Sequence, residues 1–424
     1  MRLGLRTHAV DASATAIGLL VMAWLGLHGS NWPDWYFEAR PAADALVAGH
    51  VLQFLHLAPV YGGSLVIRAP FLVMTALWHG GEHSIYRAGA APCLAATGAL
   101  GFWLAGRLRA RGGSPGARIV AVLLCVANPL TLPAFQIGHP EELLGAALCI
   151  AAVLCAGDDR PVWAAVLLGL AVANKEWALV AAGPVLLALP RARVRAALIA
   201  GAVAGIVAAP ILIAGATGFV ARAAAVGTTA GGIFQPWQIW WFLGSHAPTA
   251  TRTSAAVADT YRIAPGWVGT LGHPLVIAVT VPLTGLCAWL RRDATRRAPH
   301  DPLLLLALLL ALRCILDPWD VSYYSLPFLL TLLAWESLRF ARLPVLSLAA
   351  TLAAWLIFRE AASVGLSLDA QALVFTIVSV PAIAALAVAL YVPGVWGLLA
   401  PRSRRGRAAP LPPPLDAGTA PAAL

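Results

Sequence analysis

Reactive side chains are few in this sequence, and they recur at the edges of apolar stretches. Asp34, Glu38, Asp44 and His56 follow the first such stretch, with Arg68, Glu82 and His83 beyond them. A second group is Gln136-Ile-Gly-His139-Pro-Glu141-Glu142. A third is Asn174-Lys175-Glu176-Trp177, and a fourth is Arg313 with Asp317-Pro-Trp319-Asp320-Val-Ser-Tyr323-Tyr324. Carboxylates and imidazoles accept and release protons, while lysine and arginine hold anions. Ionisable groups at membrane depth are costly and tend to be functional.

Each group could also serve structure alone. Asp34 follows Trp32-Pro33, where an aspartate commonly caps a helix. Glu141 and Glu142 come directly after Pro140, in what would be a first helical turn, where acids suit the helix dipole. Arg313 and Asp317 are four residues apart and could pair on one helix face. His56, His83 and His246 fit ordinary loop positions. Lys175 is harder to set aside: it is the only lysine, and it sits between two apolar segments beside Glu176. No single group is specific, but all of them fall on one side of the alternating segments described next.

Several chemistries have no visible seat. There is no H-E-x-x-H and no Cys/His cluster with zinc-site spacing, so no metal is expected. A P-loop and a G-x-G-x-x-G are likewise absent, and no cofactor is expected. The six cysteines, Cys93, Cys125, Cys149, Cys155, Cys287 and Cys314, form no C-x-x-C and read as small core residues.

The elements that must carry these residues are apolar helices. Of 424 residues, 60% are hydrophobic and only 11% charged, against roughly 25% charged in a soluble domain. The mean hydropathy is +0.79. Apolar runs fall at 10–28, 89–106, 118–135, 142–157, 161–174, 177–190, 196–217, 273–290, 302–316, 325–338, 343–358 and 372–398. An all-α, multi-pass membrane protein of about twelve transmembrane helices follows, formed as a single membrane domain over 1–400. The pair 161–174 and 177–190 is short and is compatible with two crossings or a re-entrant hairpin. No soluble domain, cleavable leader or internal repeat is evident.

Arginine sets the orientation. Twelve crossings with the N-terminus inside put 20 of the 29 cationic residues on the inner side. The inner clusters are 2 and 6, 107–118, 160, 191–195, 291–297, 339 and 342, and 402–407. Eight lie outside, and Arg313 lies within a span. That bias predicts both termini in the cytoplasm of a plasma-membrane protein. Two outer loops are long, about 29–88 and 218–272. The first carries an apolar stretch, Tyr61–Trp78, suited to lying on the bilayer or dipping into it. The segment Phe234–Phe242 resembles an interfacial aromatic belt. The Arg- and Pro-rich tail, 401–424, reads as disordered. The net charge of +10 reflects these clusters and not nucleic-acid binding.

Three places carry a resemblance to a known family. One is the short N-terminus and single span followed by Asp34-Trp-Tyr-Phe-Glu-Ala39. Another is the central Gly138-His-Pro-Glu-Glu142 with Gly169-Leu-Ala-Val-Ala-Asn-Lys175-Glu-Trp177 and Pro184 one hairpin later. The third is the alternation of short inner arginine turns with two long outer loops. Over about 10–340 the chain resembles the GT-C superfamily of membrane glycosyltransferases, in particular the polyprenyl-phosphate-mannose-dependent mannosyltransferases of actinobacteria (glycosyltransferase family 87). Its near-exclusive use of arginine over lysine fits such a high-GC source. The central element departs from the family's Gly-Gln-Asn-like pattern, and Asp34 stands alone and not in an acid pair.

The resemblance implies inverting transfer of a sugar, mannose, from a polyprenyl-phosphate donor to a lipid or glycan acceptor on the extracytoplasmic face. Asp34 is then the general base, with Glu141 or Glu142 as substitutes. Lys175, Arg68 and Arg313 would face the departing lipid phosphate. His139, Trp319, Asp320, Tyr323 and Tyr324 would contact sugar or acceptor. Two other classes compete: a transporter or flippase using Glu141, Glu142 and Lys175 as a coupling site, and a non-catalytic protein that retains the fold.

Overall fold

The computed structural model describes residues 2–28, 32–189, 191–214, 234–246, 262–292 and 298–392. The tail from 401, Arg222, Arg252, Arg296, Arg297 and much of the loop 218–272 lie outside the described residues. The protein is 82% helical. The main helices are α1 (Arg2–Leu27), α2 (Arg40–Val47), α3 (Val51–Leu57), α4 (Gly62–Met74), α5 (Glu82–Ala110), α6 (Pro115–Val126), α7 (Thr131–Ile137), α8 (Glu141–Gly157) and α9 (Pro161–Asn174). They continue as α10 (Ala182–Ala188), α11 (Arg193–Ala214), α12 (Gly266–Leu290), α13 (Asp301–Leu316), α14 (Ser325–Phe340), α15 (Val345–Trp355) and α16 (Leu368–Tyr391). Every apolar range read from the sequence overlaps a helix. Proline at the first or second helical position opens α6, α9 and α13, where the missing N–H costs nothing. Ser114 and Ser367 accept hydrogen bonds from the Ala117 and Ala370 amides and so cap α6 and α16.

Among the described residues, seven helical stretches are long and apolar enough to cross a membrane. Among them, α11 and α12 have only 17% of their apolar window buried within the protein, and α16 only 6%. Helices this apolar and this exposed need a non-aqueous surround. The shorter α8, α13 and α14 are instead enclosed on nearly all sides, so they form the centre of the bundle. α9 packs along α8 and α11, α5 along α6 and α8, and α13 along α14.

The stretch Tyr61–Trp78 packs onto this bundle. α4 buries Gly62, Gly63, Ser64, Leu65, Arg68 and Leu72 against α5, α9 and α11, and a 3₁₀ turn over Thr75–Trp78 ends it. A Cβ on Gly63 would come within 2.1 Å of the Ala173 carbonyl oxygen, so only glycine permits α4 to meet the end of α9. The aromatic segment is tied to the ends of other helices. Trp240 Nε1 donates to the Leu316 carbonyl and Trp241 Nε1 to Asp369. Two residue pairs, Ser245↔Ile263 and His246↔Arg262, form a small antiparallel ladder, and Arg262 holds Asp369 at 2.8 and 2.9 Å.

The arginines at the ends of α5 and α6 are anchored. Asp11 of α1 receives Arg109 at 2.7 Å and Arg118 at 3.0 Å, and Arg107 pairs with Asp158. At the same end Glu336 accepts from the Leu346 and Ser347 amides at the start of α15.

Candidate functional site

At the other end of the bundle the scattered polar residues converge. The join begins at Gly138, which closes α7 with φ of +118°, a left-handed conformation suited to glycine. A Cβ there would lie 2.5 Å from the Trp35 amide nitrogen. Close backbone approach therefore brings Asp34 against His139, although 105 residues separate them. A π turn over Trp35–Ala39 follows Asp34 directly, and such turns recur at functional sites.

His139 sits between two acids. Its Nε2 is 3.0 Å from Asp34 Oδ2 and its Nδ1 is 2.6 Å from Glu141 Oε1. With a carboxylate at each nitrogen, the ring is assigned as the imidazolium donating from both. Burial alone would lower its pKa, but the Glu141 charge and the two hydrogen bonds outweigh burial and Lys175, raising it to about 9. The Tyr61 and Tyr323 rings lie at 5.8 and 5.0 Å.

Behind His139 the charges alternate. Lys175 Nζ meets Glu142 Oε1 at 2.9 Å and Glu141 Oε1 at 3.5 Å. Arg313 grips both oxygens of Glu142 at 3.3 and 3.4 Å, and Arg68 approaches Glu141 at 3.6 Å. Aromatic faces cover the cations: Tyr61 over Lys175 at 5.2 Å, and Trp177 and Tyr324 over Arg313 at 4.7 and 4.3 Å. Asn174 donates to the Glu141 carbonyl and accepts from Ser64, locking α9, α8 and α4 together. With His139 protonated, the four cations His139, Lys175, Arg68 and Arg313 meet four carboxylates, Asp34, Glu141, Glu142 and the neighbouring Glu38, so the cluster is balanced in charge.

Asp34 differs from its partners in exposure. Its side chain is 38% exposed, whereas those of Glu141 and Glu142 are 1% and 0%. Glu141 and Glu142 face protein cations, and Asp34 alone of the three presents a carboxylate outward. Beside Lys175, a cavity of about 130 Å³ runs between α4, α9 and α11, walled by Val172, Ala204, Ala208 and Ile211.

The fourth group from the sequence divides. Tyr323 and Tyr324 join the cluster, but Arg313 turns to Glu142 and away from Asp317. Asp317 instead faces His273 of α12 at 3.3 Å and accepts from the Trp319 amide. Trp319 packs on His273 at 4.4 Å, outside the charge cluster. Asp320 is fully buried, and neither of its oxygens makes a well-formed hydrogen bond. Burial, with the Asp317 charge, holds its pKa well above the ordinary aspartate range. His273 and Tyr61 escaped the sequence reading because each lies in an apolar run with no neighbouring reactive residue. Asp34, Glu38 and His139 bring one ligand atom each within 4.8 Å of one another, a grouping able to hold a metal ion. Tyr61 already donates to Glu38 at 2.7 Å.

Two outcomes follow for solution behaviour. The His139 pKa is raised above its unfolded value of roughly 6.5, so its contribution is complete below that value and is lost as pH rises through about 9. The melting temperature of detergent-purified protein should fall between pH 7 and pH 9.5 more steeply than that of His139→Gln. Parallel profiles would rule out the imidazolium. The raised pKa of Asp320 means that folding favours its neutral form, and the charged form becomes a burden as pH rises above roughly 3.9. Asp320→Asn should therefore melt no lower than the wild type at pH 7.5. A drop of more than about 4 °C, on the order of 3–4 kcal/mol for a chain of this length, would show that the carboxylate is used.

Fold and site thus define a mostly helical protein with helices long and apolar enough to cross a membrane and a sealed ion cluster at one end. No known protein-family model matches the chain, and no curated protein matches it.

Proposed function

We propose that the protein is an integral membrane glycosyltransferase that moves a sugar from a polyprenyl-phosphate donor to a lipid or glycan acceptor. The observation that carries this is the half-exposed Asp34, held by His139 at the edge of a buried cluster of alternating charges. Asp34 Oδ2 is engaged by His139, which leaves Oδ1 for an acceptor hydroxyl. Asp34 takes the hydroxyl proton as the oxygen attacks the anomeric carbon. The bond from that carbon to the phosphate oxygen breaks on the opposite face, inverting the centre and releasing polyprenyl phosphate.

Lys175, Arg68 and Arg313 are the cations that oppose the charge that develops on the leaving phosphate. The apolar cavity beside Lys175 supports a lipid-linked donor, since a prenyl chain can lie along α4 and α11 with its phosphate at the lysine. Glu141 and Glu142 hold His139, Lys175 and Arg313 in place. Tyr61, edge-on to His139, and Tyr323, tilted against it, are the aromatic groups beside Asp34 available to a sugar ring. Counting the short helices α8, α9, α13, α14 and the 176–188 segment with the seven long stretches gives twelve crossings. With twelve crossings, the arginine bias supports termini in the cytoplasm and a site on the extracytoplasmic face of the plasma membrane. Mannose is the donor sugar to try first.

The test incubates membranes holding the protein with labelled polyprenyl-phosphate-mannose and a lipid extract. Label should appear in a new glycolipid. Retention of label on every donor sugar tried would defeat the proposal.

One observation favours a second reading. The buried row Arg68, Glu141, Lys175, Glu142, Arg313 has the form of an ion-coupling path in a transporter. Gradient-dependent flux that Glu142→Gln abolishes, with no glycolipid formed, would decide for transport.

A further inference from the structure

The opposite end of the bundle contains a hollow of about 1070 Å³. It opens between the C-terminal ends of α8, α10 and α12 and the first turns of α11 and α13. Its wall carries Arg191, Arg193, Arg195, Arg291 and Arg292. The carboxylates set against them among the described residues are Asp159, in the wall, and Asp301, paired with Arg291. Arg291 and Arg292 set aside, Arg191, Arg193 and Arg195 against Asp159 leave an excess of two positive charges. Membrane orientation needs arginines only somewhere on an inner loop. It does not need them gathered from two separate inner loops around one hollow.

The rest of the wall is apolar, with Leu187, Val194, Ala288 and Pro302 among its residues. Along α11, Val194, Leu198 and Ile206 are at least 70% exposed, and on α12 Val281 is 70% exposed. Trp289, 58% exposed at the end of α12, lies beside Arg291 and Arg292. A tryptophan at the end of an apolar helix marks the depth of lipid headgroups. A soluble anion would need the arginines alone. A phospholipid uses the arginines for its phosphate and the apolar faces for its acyl chains.

We propose that this hollow binds the headgroup of an anionic phospholipid, with the acyl chains lying along α11 and α12. The inference rests on the helices crossing a bilayer and is independent of glycosyl transfer.

Native mass spectrometry of the full-length protein released from detergent tests it, with phosphatidylglycerol and a phosphatidylcholine of the same chains as probes. The wild type should retain phosphatidylglycerol preferentially. The triple variant Arg191→Gln/Arg193→Gln/Arg195→Gln should weaken that binding on the order of 100-fold, at about 1 kcal/mol per basic residue. Arg402→Gln/Arg404→Gln/Arg405→Gln removes the same charge from the C-terminal tail and should leave binding unchanged. Equal retention of both lipids, equal binding by the wild type and the first variant, or an equal loss in the tail variant would each overturn the proposal. Displacement of the lipid by millimolar inorganic phosphate would assign the hollow to a soluble anion and overturn the lipid assignment. Should the first variant fail to insert, the wild-type melting temperature serves. A rise with phosphatidylglycerol alone supports the proposal, and an equal rise with phosphatidylcholine or phosphate overturns it.

Discussion

Asp34→Asn should lower glycosyl transfer by roughly 10²–10⁴-fold, the usual contribution of a positioned proton acceptor, while the protein still folds and inserts. The two halves of this expectation have separate causes. Asparagine keeps the size of the side chain and an oxygen able to accept from His139 Nε2, so the join between the first outer segment and the α7–α8 turn survives. The position is also 38% exposed, so replacing the charge leaves no sealed cation without its counter-ion. What asparagine cannot do is take a proton from an acceptor hydroxyl. The comparison should be made at saturating donor and acceptor, with elution volume and melting temperature recorded beside turnover. Turnover within a few-fold of wild type in a folded Asp34→Asn would remove Asp34 as the base. Lost turnover together with a lost melting transition would mean that the residue is structural.

Glu142→Ala should have the opposite character and damage folding before chemistry. Glu142 is fully buried and is shared by Lys175 at 2.9 Å and Arg313 at 3.3 Å. Removing one partner of a buried ion pair leaves an uncompensated charge and costs about 3–5 kcal/mol. Here two cations lose their acid, and only Glu141 stays near Lys175. The variant should therefore extract poorly and melt well below the wild type. Removing a cation at the same time restores the balance, so Glu142→Gln/Arg313→Met should recover much of the loss. A Glu142→Ala protein that melts within about 1 °C of the wild type would mean that water reaches the cluster and shares its charge, since even 1 kcal/mol would shift the transition by more.

The contrast between these acids explains what could be read in the sequence. Asp34, Glu141 and Glu142 look alike there: each is a carboxylate at the edge of an apolar run. Their order along the chain, with the alternation of runs, is enough to gather them at one end of the molecule. It cannot reveal that Asp34 faces outward while the other two are sealed, because exposure depends on which helices stand around them. Arg313 makes the same point. Asp317 lies one helical turn away and is the natural local partner, yet Arg313 binds Glu142, 171 residues distant. α13 ends just before Asp317, whose side chain turns to His273 and the Trp319 amide. At the centre of the bundle a buried arginine must meet a buried acid.

The sequence by itself determined where the long apolar helices run, though not their ends, because a run of apolar residues closes its own backbone hydrogen bonds and needs nothing distant to do so. It also determined that α11, α12 and α16 must face something other than water. Tertiary structure alone decided the pairing of charges, the contact of Gly138 with Trp35, and the burial of Asp320. Those features join residues from separate helices, and their energies depend on how far each group is withdrawn from solvent, which packing fixes and local sequence does not.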